Sequence, residues 1–155
     1  MSHILVAYFS ATGKTGRIAE AAARACGGDL FEIRPQKPYT SADLNWTDSK
    51  SRSSLEMADT TSRPAIEGPL PDLSGYDTVL LGFPIWWGVE PRVVDTFLDA
   101  INASGKRLFG FCTSGGSGSS GAVKRLAALY PSLQIESVKL LYGTGGVENW
   151  IRTLL

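Results

Sequence analysis

Histidine is almost absent from this 155-residue chain, and His3 is its only representative. It stands at the start of an apolar run, so we read it as a surface residue. A Ser-His-Asp relay or a His-based metal centre therefore has nothing to build on, and no G-x-S-x-G elbow accompanies the many serines. Cysteine is scarce too. Cys26 and Cys112 lack metal-ligand spacing and read as reduced core thiols, which suits the cytoplasm. Asp43, Asp48, Glu56 and Asp59 show no metal-ligand spacing either, so we assign no metal site and no catalytic side chain. Charge of one sign is missing as well: 15 Lys+Arg balance 15 Asp+Glu, leaving no field to draw nucleic acid or an anionic membrane. No apolar run approaches the roughly eighteen residues of a membrane span, and the N-terminus enters a strand with no signal-peptide pattern.

What is present is an ordinary globular composition, 43% apolar and 19% charged, at a length that suits one domain over residues 1–155. Ile4–Phe9 is a continuous apolar run, as a strand buried on both faces of a parallel sheet requires. Helical spacing follows (Ile18, Ala19, Ala22, Ala23, Cys26) until Gly27-Gly28 stops it. Leu30–Ile33 is a short second strand, ended by Pro35. From Gln36 to Pro71 large apolar residues thin out, a connection far longer than usual and hence a lid or partly helical insertion. Within it we expect a helix over Ser49–Ala58, and we single out Tyr39 and Trp46 as aromatics that pack back on the body or cover a bound ring. Further strands are expected at Thr78–Phe83, Lys106–Thr113 and Ile135–Tyr142, and helices at Pro91–Ile101, Ala122–Tyr130 and Gly145–Leu155. Five strands alternating with helices predict an α/β, three-layer, doubly wound parallel sheet.

Between the first strand and its helix lies Ser10-Ala11-Thr12-Gly13-Lys14-Thr15. A strand entering a helix through such a loop aims free backbone N–H groups and the positive end of the helix dipole at one point, which suits a phosphate. It is not the nucleoside-triphosphate P-loop, because the glycine that motif needs at position 8 is Tyr8. Hydroxyls of Ser10, Thr12 and Thr15 supply the donors instead, as a terminal phosphomonoester would accept.

In such a sheet ligands sit beyond the carboxyl ends of the strands, and two more unusual loops fall there. Pro84-Ile85-Trp86-Trp87-Gly88 follows the third strand. Successive residues cannot both point inward, so we expect at least one indole at the mouth of the site, free to stack on a planar ring; Gly88 permits close approach of the chain. After the fourth strand comes Thr113-Ser114-Gly115-Gly116-Ser117-Gly118-Ser119, poor in side-chain bulk and rich in N–H groups. It also spells G-x-G-x-x-G through Gly116, Gly118 and Gly121, with Glu136 twenty residues after Gly116, so a nicotinamide-dinucleotide site is a competing reading. That loop follows a late strand, however, and would leave the hydroxyl loop and the tryptophans without employment.

Together, ILVAYFS-x-TG-x-T, Pro-x-Trp-Trp-Gly and CTSGGSG resemble the flavodoxin-like family, most closely its short-chain, FMN-binding branch, over nearly the whole chain. The resemblance implies strand order 2-1-3-4-5. It implies FMN as cofactor, with Ser10, Thr12, Gly13, Lys14 and Thr15 at the phosphate, Pro84 to Gly88 at the ring and Thr113 to Ser119 at the ring edge. It further implies electron transfer between NAD(P)H or a reductase and a quinone-like or protein acceptor, and a homodimer in many relatives. Two departures matter. The chain is neutral where low-potential carriers are acidic, and its third loop holds no carboxylate near the ring. We expect a higher potential and two-electron chemistry with a nicotinamide donor. The alternatives are a non-enzymatic module that kept the fold, and the dinucleotide-binding dehydrogenase.

Overall fold

A computed structural model describes residues 3–103, 105–116 and 118–155. Five parallel strands, β1 (Ile4–Tyr8), β2 (Asp29–Glu32), β3 (Thr78–Pro84), β4 (Arg107–Thr113) and β5 (Gln134–Leu140), form one sheet in the order β2-β1-β3-β4-β5. The helices are α1 (Lys14–Cys26), α2 (Arg52–Ala58), α3 (Arg92–Ala100), α4 (Ser120–Leu129) and α5 (Val147–Leu154). The expected α/β class and strand order hold.

The period-2 alternation of the strands divides the core. Leu5, Ala7 and Phe9 join Val79, Leu81, Phe83, Leu108 and Cys112 under α3 and α4; Ile4, Val6 and Tyr8 join Leu80, Phe109 and Phe111 under α1 and α5. The last of these packs edge-on against Trp150 of α5, centroids 5.7 Å apart. Its ring also fills the space where a Cβ on Gly82 would stand, at 2.2 Å, which explains a glycine in the middle of a buried strand.

Element ends shifted where serine and glycine blur the pattern. The fourth helix starts at Ser120, so Gly121, expected in the loop, lies in its first turn; Pro91 is the residue capping α3 rather than part of its first turn. The insertion is only partly helical, with α2 beginning after Ser51, whose Oγ accepts the Ser54 N–H. It is fastened from below. The guanidinium of Arg92, buried, donates to the carbonyl oxygens of Glu56 (3.3 Å), Met57 (2.9 Å) and Asp59 (3.2 Å). A cation there satisfies carbonyls orphaned at a helix C-terminus and complements its dipole. Near its end, the insertion pairs back across Pro35 and Ile66. Among the described residues no helix is long and apolar enough to cross a membrane.

Candidate functional site

The loops after β1, β3 and β4 converge with the insertion on a cavity of 510 Å³, a volume typical of small-ligand sites. Thr12, Lys14 and Thr15 line it from the first loop, Pro84, Ile85, Trp86 and Trp87 from the second, and Thr113, Ser114 and Gly115 from the third. The switch in strand order between β1 and β3 lies beneath it, where open α/β sheets hold ligands.

The first loop turns at Gly13 (φ 93°), whose N–H donates to Ser10 Oγ at 3.0 Å. Ser10 and Gly13 thus shape the turn and do not line the cavity. No acidic side chain occupies the first turn of α1, so its dipole is unopposed. The Arg17 guanidinium lies beside Gly13, Nη1 3.6 Å from the position of a Cβ there, a second cation that the spacing of the loop did not single out. Thr15 is buried and its hydroxyl shares a 2.8 Å hydrogen bond with that of Thr113. Two hydroxyls carry two protons and that bond uses one, so the pair keeps one donor for a ligand.

The tryptophan segment is a two-residue hairpin. Trp86 N–H donates to Val89 O at 2.9 Å and Val89 N–H returns to Trp86 O at 3.1 Å. Both central residues, Trp87 (φ 52°) and Gly88 (φ 81°), are left-handed, the signature of a type I′ turn. Glycine takes that conformation freely; a tryptophan there stores on the order of 1–2 kcal/mol of strain. The turn separates the two indoles. Trp86 is half-buried and held edge-on by Phe9 (5.6 Å) and Tyr39 (5.3 Å), whereas Trp87 is 51% exposed at the mouth.

In the third loop Ser114 Oγ accepts the Gly116 N–H at 3.1 Å. Gly88, Gly116, Gly118 and Ser119 do not line the cavity, and Ser117 lies outside the described residues. The last glycine of the G-x-G-x-x-G string has a packing role: a Cβ on Gly121 would stand 2.5 Å from the carbonyl oxygen of Gly88. Helix α4 therefore butts directly against the tryptophan hairpin.

Behind that hairpin sits a buried charge cluster. Glu90 and Asp95 are both 0% exposed; Arg125 binds Glu90 and reaches Asp95 Oδ2 at 2.9 Å, and the Tyr130 hydroxyl donates to Asp95 Oδ1 at 3.2 Å. Desolvation above all, with the adjacent Asp95, pushes the Glu90 carboxyl up to about 8. Burial likewise pushes the Cys112 thiol up to about 11, which keeps it unreactive.

Four lining residues escaped assignment from the sequence: Ala11, Leu44, Trp46 and Ser53. Of the two insertion aromatics, Trp46 stands 74% exposed on the cavity wall, while Tyr39 packs into the body against Phe9. Ser53 gave no sequence signal.

Fold and site define a doubly wound α/β protein with a hydroxyl-bearing loop, an indole hairpin and a serine/glycine loop around a shared pocket. The chain belongs to the flavodoxin family, whose model, described as Flavodoxin, matches residues 3–154. Among solved structures it is similar to a candidate flavoprotein from Bacteroides uniformis, at 46% identity over 97% of this chain and 98% of that one, TM-score 0.94. A candidate flavoprotein from Bacteroides eggerthii is 44% identical over 99% and 98% of the two chains, TM-score 0.93. A Lactobacillus acidophilus flavoprotein in complex with FMN shares the fold at 22% identity over 97% and 99%, TM-score 0.76. No curated protein matches the sequence.

Proposed function

We propose that the protein binds FMN in the 510 Å³ cavity and works as a flavoprotein oxidoreductase, taking electrons from NAD(P)H or a reductase and passing them to a quinone-like or protein acceptor. The observation that carries this reading is the convergence of all three strand-end loops on that one cavity. Its donor set fits the cofactor. The hydroxyls of Thr12 and Thr15, the latter paired with Thr113, suit a phosphomonoester dianion together with the unopposed N-terminus of α1 and Lys14. Among the described residues no carboxylate lines the cavity, so none of them repels an anion there. Trp86 and Trp87 supply apolar, aromatic surface for the ring system. The 46% identical relative, itself a candidate flavoprotein, supports a flavin, and the same fold holds FMN in the Lactobacillus protein.

Bound FMN would supply reversible electron transfer, and the protein's part is to bind, orient and shield it. Trp86, locked between Phe9 and Tyr39, offers a wall that does not swing. The Trp46 side of the insertion and exposed Trp87 flank the mouth and restrict water. With no carboxylate among the described lining residues, negative charge gained on reduction would meet no fixed like charge there, which favours a nicotinamide donor and two-electron turnover. Both thiols are free, which suits the reducing cytoplasm.

The test is anaerobic. Protein reconstituted with FMN is mixed with NADPH and then with benzoquinone, following flavin absorbance. Bleaching followed by recovery is expected. Retention of flavin without bleaching would remove the nicotinamide donor, and failure to retain FMN would overturn the whole reading.

A further inference from the structure

Three serines cluster at the start of α2 and only two are used locally. Ser51 Oγ caps the helix and Ser54 Oγ donates to the Asp48 carbonyl at 2.7 Å. Ser53 lies between them, 2% exposed, and its Oγ has no hydrogen-bond partner among the described residues. Its backbone N–H is already satisfied by the Asp43 carbonyl at 3.0 Å, so the local fold does not require the hydroxyl. Ser53 nevertheless lines the cavity, with Leu44 and Trp46 of the same insertion. A buried hydroxyl without a partner is a standing penalty that a ligand can remove.

The neighbouring side chain shows which part of a ligand it would meet. Arg52 places its guanidinium 3.9 Å over the Tyr39 ring, and that ring meets Trp86 edge-on at 5.3 Å. The start of α2 is thereby tied to the indole wall, where the FMN reading puts the ring, whereas that reading puts the phosphate at the loop after β1.

Resting on the FMN reading above, we propose that Ser53 is a flavin-binding residue whose hydroxyl hydrogen-bonds the polar rim of the isoalloxazine ring. Its carbonyl oxygens and ring nitrogens are the matching partners. The insertion is then a fourth recognition element, supplied outside the three strand-end loops, that reads the ring and not the phosphate.

Ser53→Ala tests this against the wild type and Thr12→Ala, by titrating FMN into apoprotein and by thermal unfolding of the apoprotein. The expected result is a five- to tenfold weaker Kd, about the worth of one hydrogen bond, with an apoprotein midpoint unchanged or raised. The double variant should lose the product of the two single factors, since the two side chains touch different parts of the ligand. An unchanged Kd in Ser53→Ala overturns the proposal. So does a lowered apoprotein midpoint, which would give the hydroxyl a structural partner. If the wild type itself binds no FMN, the flavin reading fails, a result distinct from an unaltered Kd in the variant.

Discussion

Gly121→Ala is the substitution in which fold and site are most tightly joined. The new methyl would stand 2.5 Å from Gly88 O, inside the 3.0 Å that real Cβ contacts keep, so the hairpin must withdraw by at least about 0.5 Å. The obstacle is backbone and cannot swing aside. Overpacking of this kind costs about 1–3 kcal/mol, against which alanine gains about 0.8–1 kcal/mol over glycine in a helix. The net is a loss of up to about 2 kcal/mol, and a midpoint lower by about 2–4 °C for each kcal/mol in a chain of this size. The same retreat shifts Trp86 and Trp87, so FMN affinity should fall severalfold. The control is Gly118→Ala. Nothing lies within 4 Å of a Cβ there and its φ is not left-handed; alanine should leave stability unchanged or raise it by about 0.4–1 kcal/mol through the unfolded chain. Differential scanning calorimetry and FMN titration of both variants are the assays. A Gly121→Ala protein as stable as Gly118→Ala, with an unaltered Kd, would refute the packing argument. Loss of NAD binding in Gly118→Val would instead favour the dinucleotide alternative.

Three further outcomes follow from the buried polar groups. Glu90, held at about 8 against an ordinary 4.5, keeps its proton in the folded chain and not in the unfolded one across that window. Stability from this group is present below pH 4.5 and lost as pH rises through about 8. Thermal midpoints should decline over that range in the wild type and decline less in Glu90→Gln; parallel profiles would contradict the assignment. Arg92→Met removes three charge-assisted hydrogen bonds to the end of α2, while Asp95 keeps Arg125; a loss of about 3–5 kcal/mol is expected from the unsatisfied carbonyls. Limited proteolysis should then cut first within residues 36–71, and cutting elsewhere would show that Arg92 is not the anchor. Thr113→Val takes away the partner of Thr15 and should cost about 1 kcal/mol of stability together with severalfold in FMN affinity; an effect on stability alone would remove the pair from the ligand site.

The sheet was readable in the sequence because β1, β3 and β4 are buried on both faces, so their apolar runs are unbroken. Gly27 closed α1 as its position promised, in the left-handed conformation only glycine adopts readily. The three loops that line the cavity stood out because hydroxyls, paired tryptophans and a glycine run are unusual compositions at strand ends. What stayed hidden depends on distance along the chain. Thr15 and Thr113 are 98 residues apart, and no local pattern couples them. Ser53 looks like any other serine in SKSRSS until the insertion folds back and leaves its hydroxyl unpaired. Trp86 and Trp87 are interchangeable by composition; only the type I′ turn assigns one to the wall and the other to the mouth. Ser119-Ser120-Gly121 has loop composition, which hides the start of α4 at Ser120, and its glycine is demanded by Gly88 across the site, not by its own helix.

The most direct test of the central claim is a comparison of FMN with riboflavin, titrated against apoprotein and followed by flavin fluorescence. The two ligands share the ring and differ only in the phosphate. Indole stacking should quench FMN emission strongly at sub-micromolar protein. Riboflavin should bind at least about tenfold more weakly, since even one charge-assisted hydrogen bond to the phosphate is worth about 1.5–3 kcal/mol. Thr12→Ala should narrow that gap. Equal affinity for the two ligands, or no quenching by either, would contradict the account.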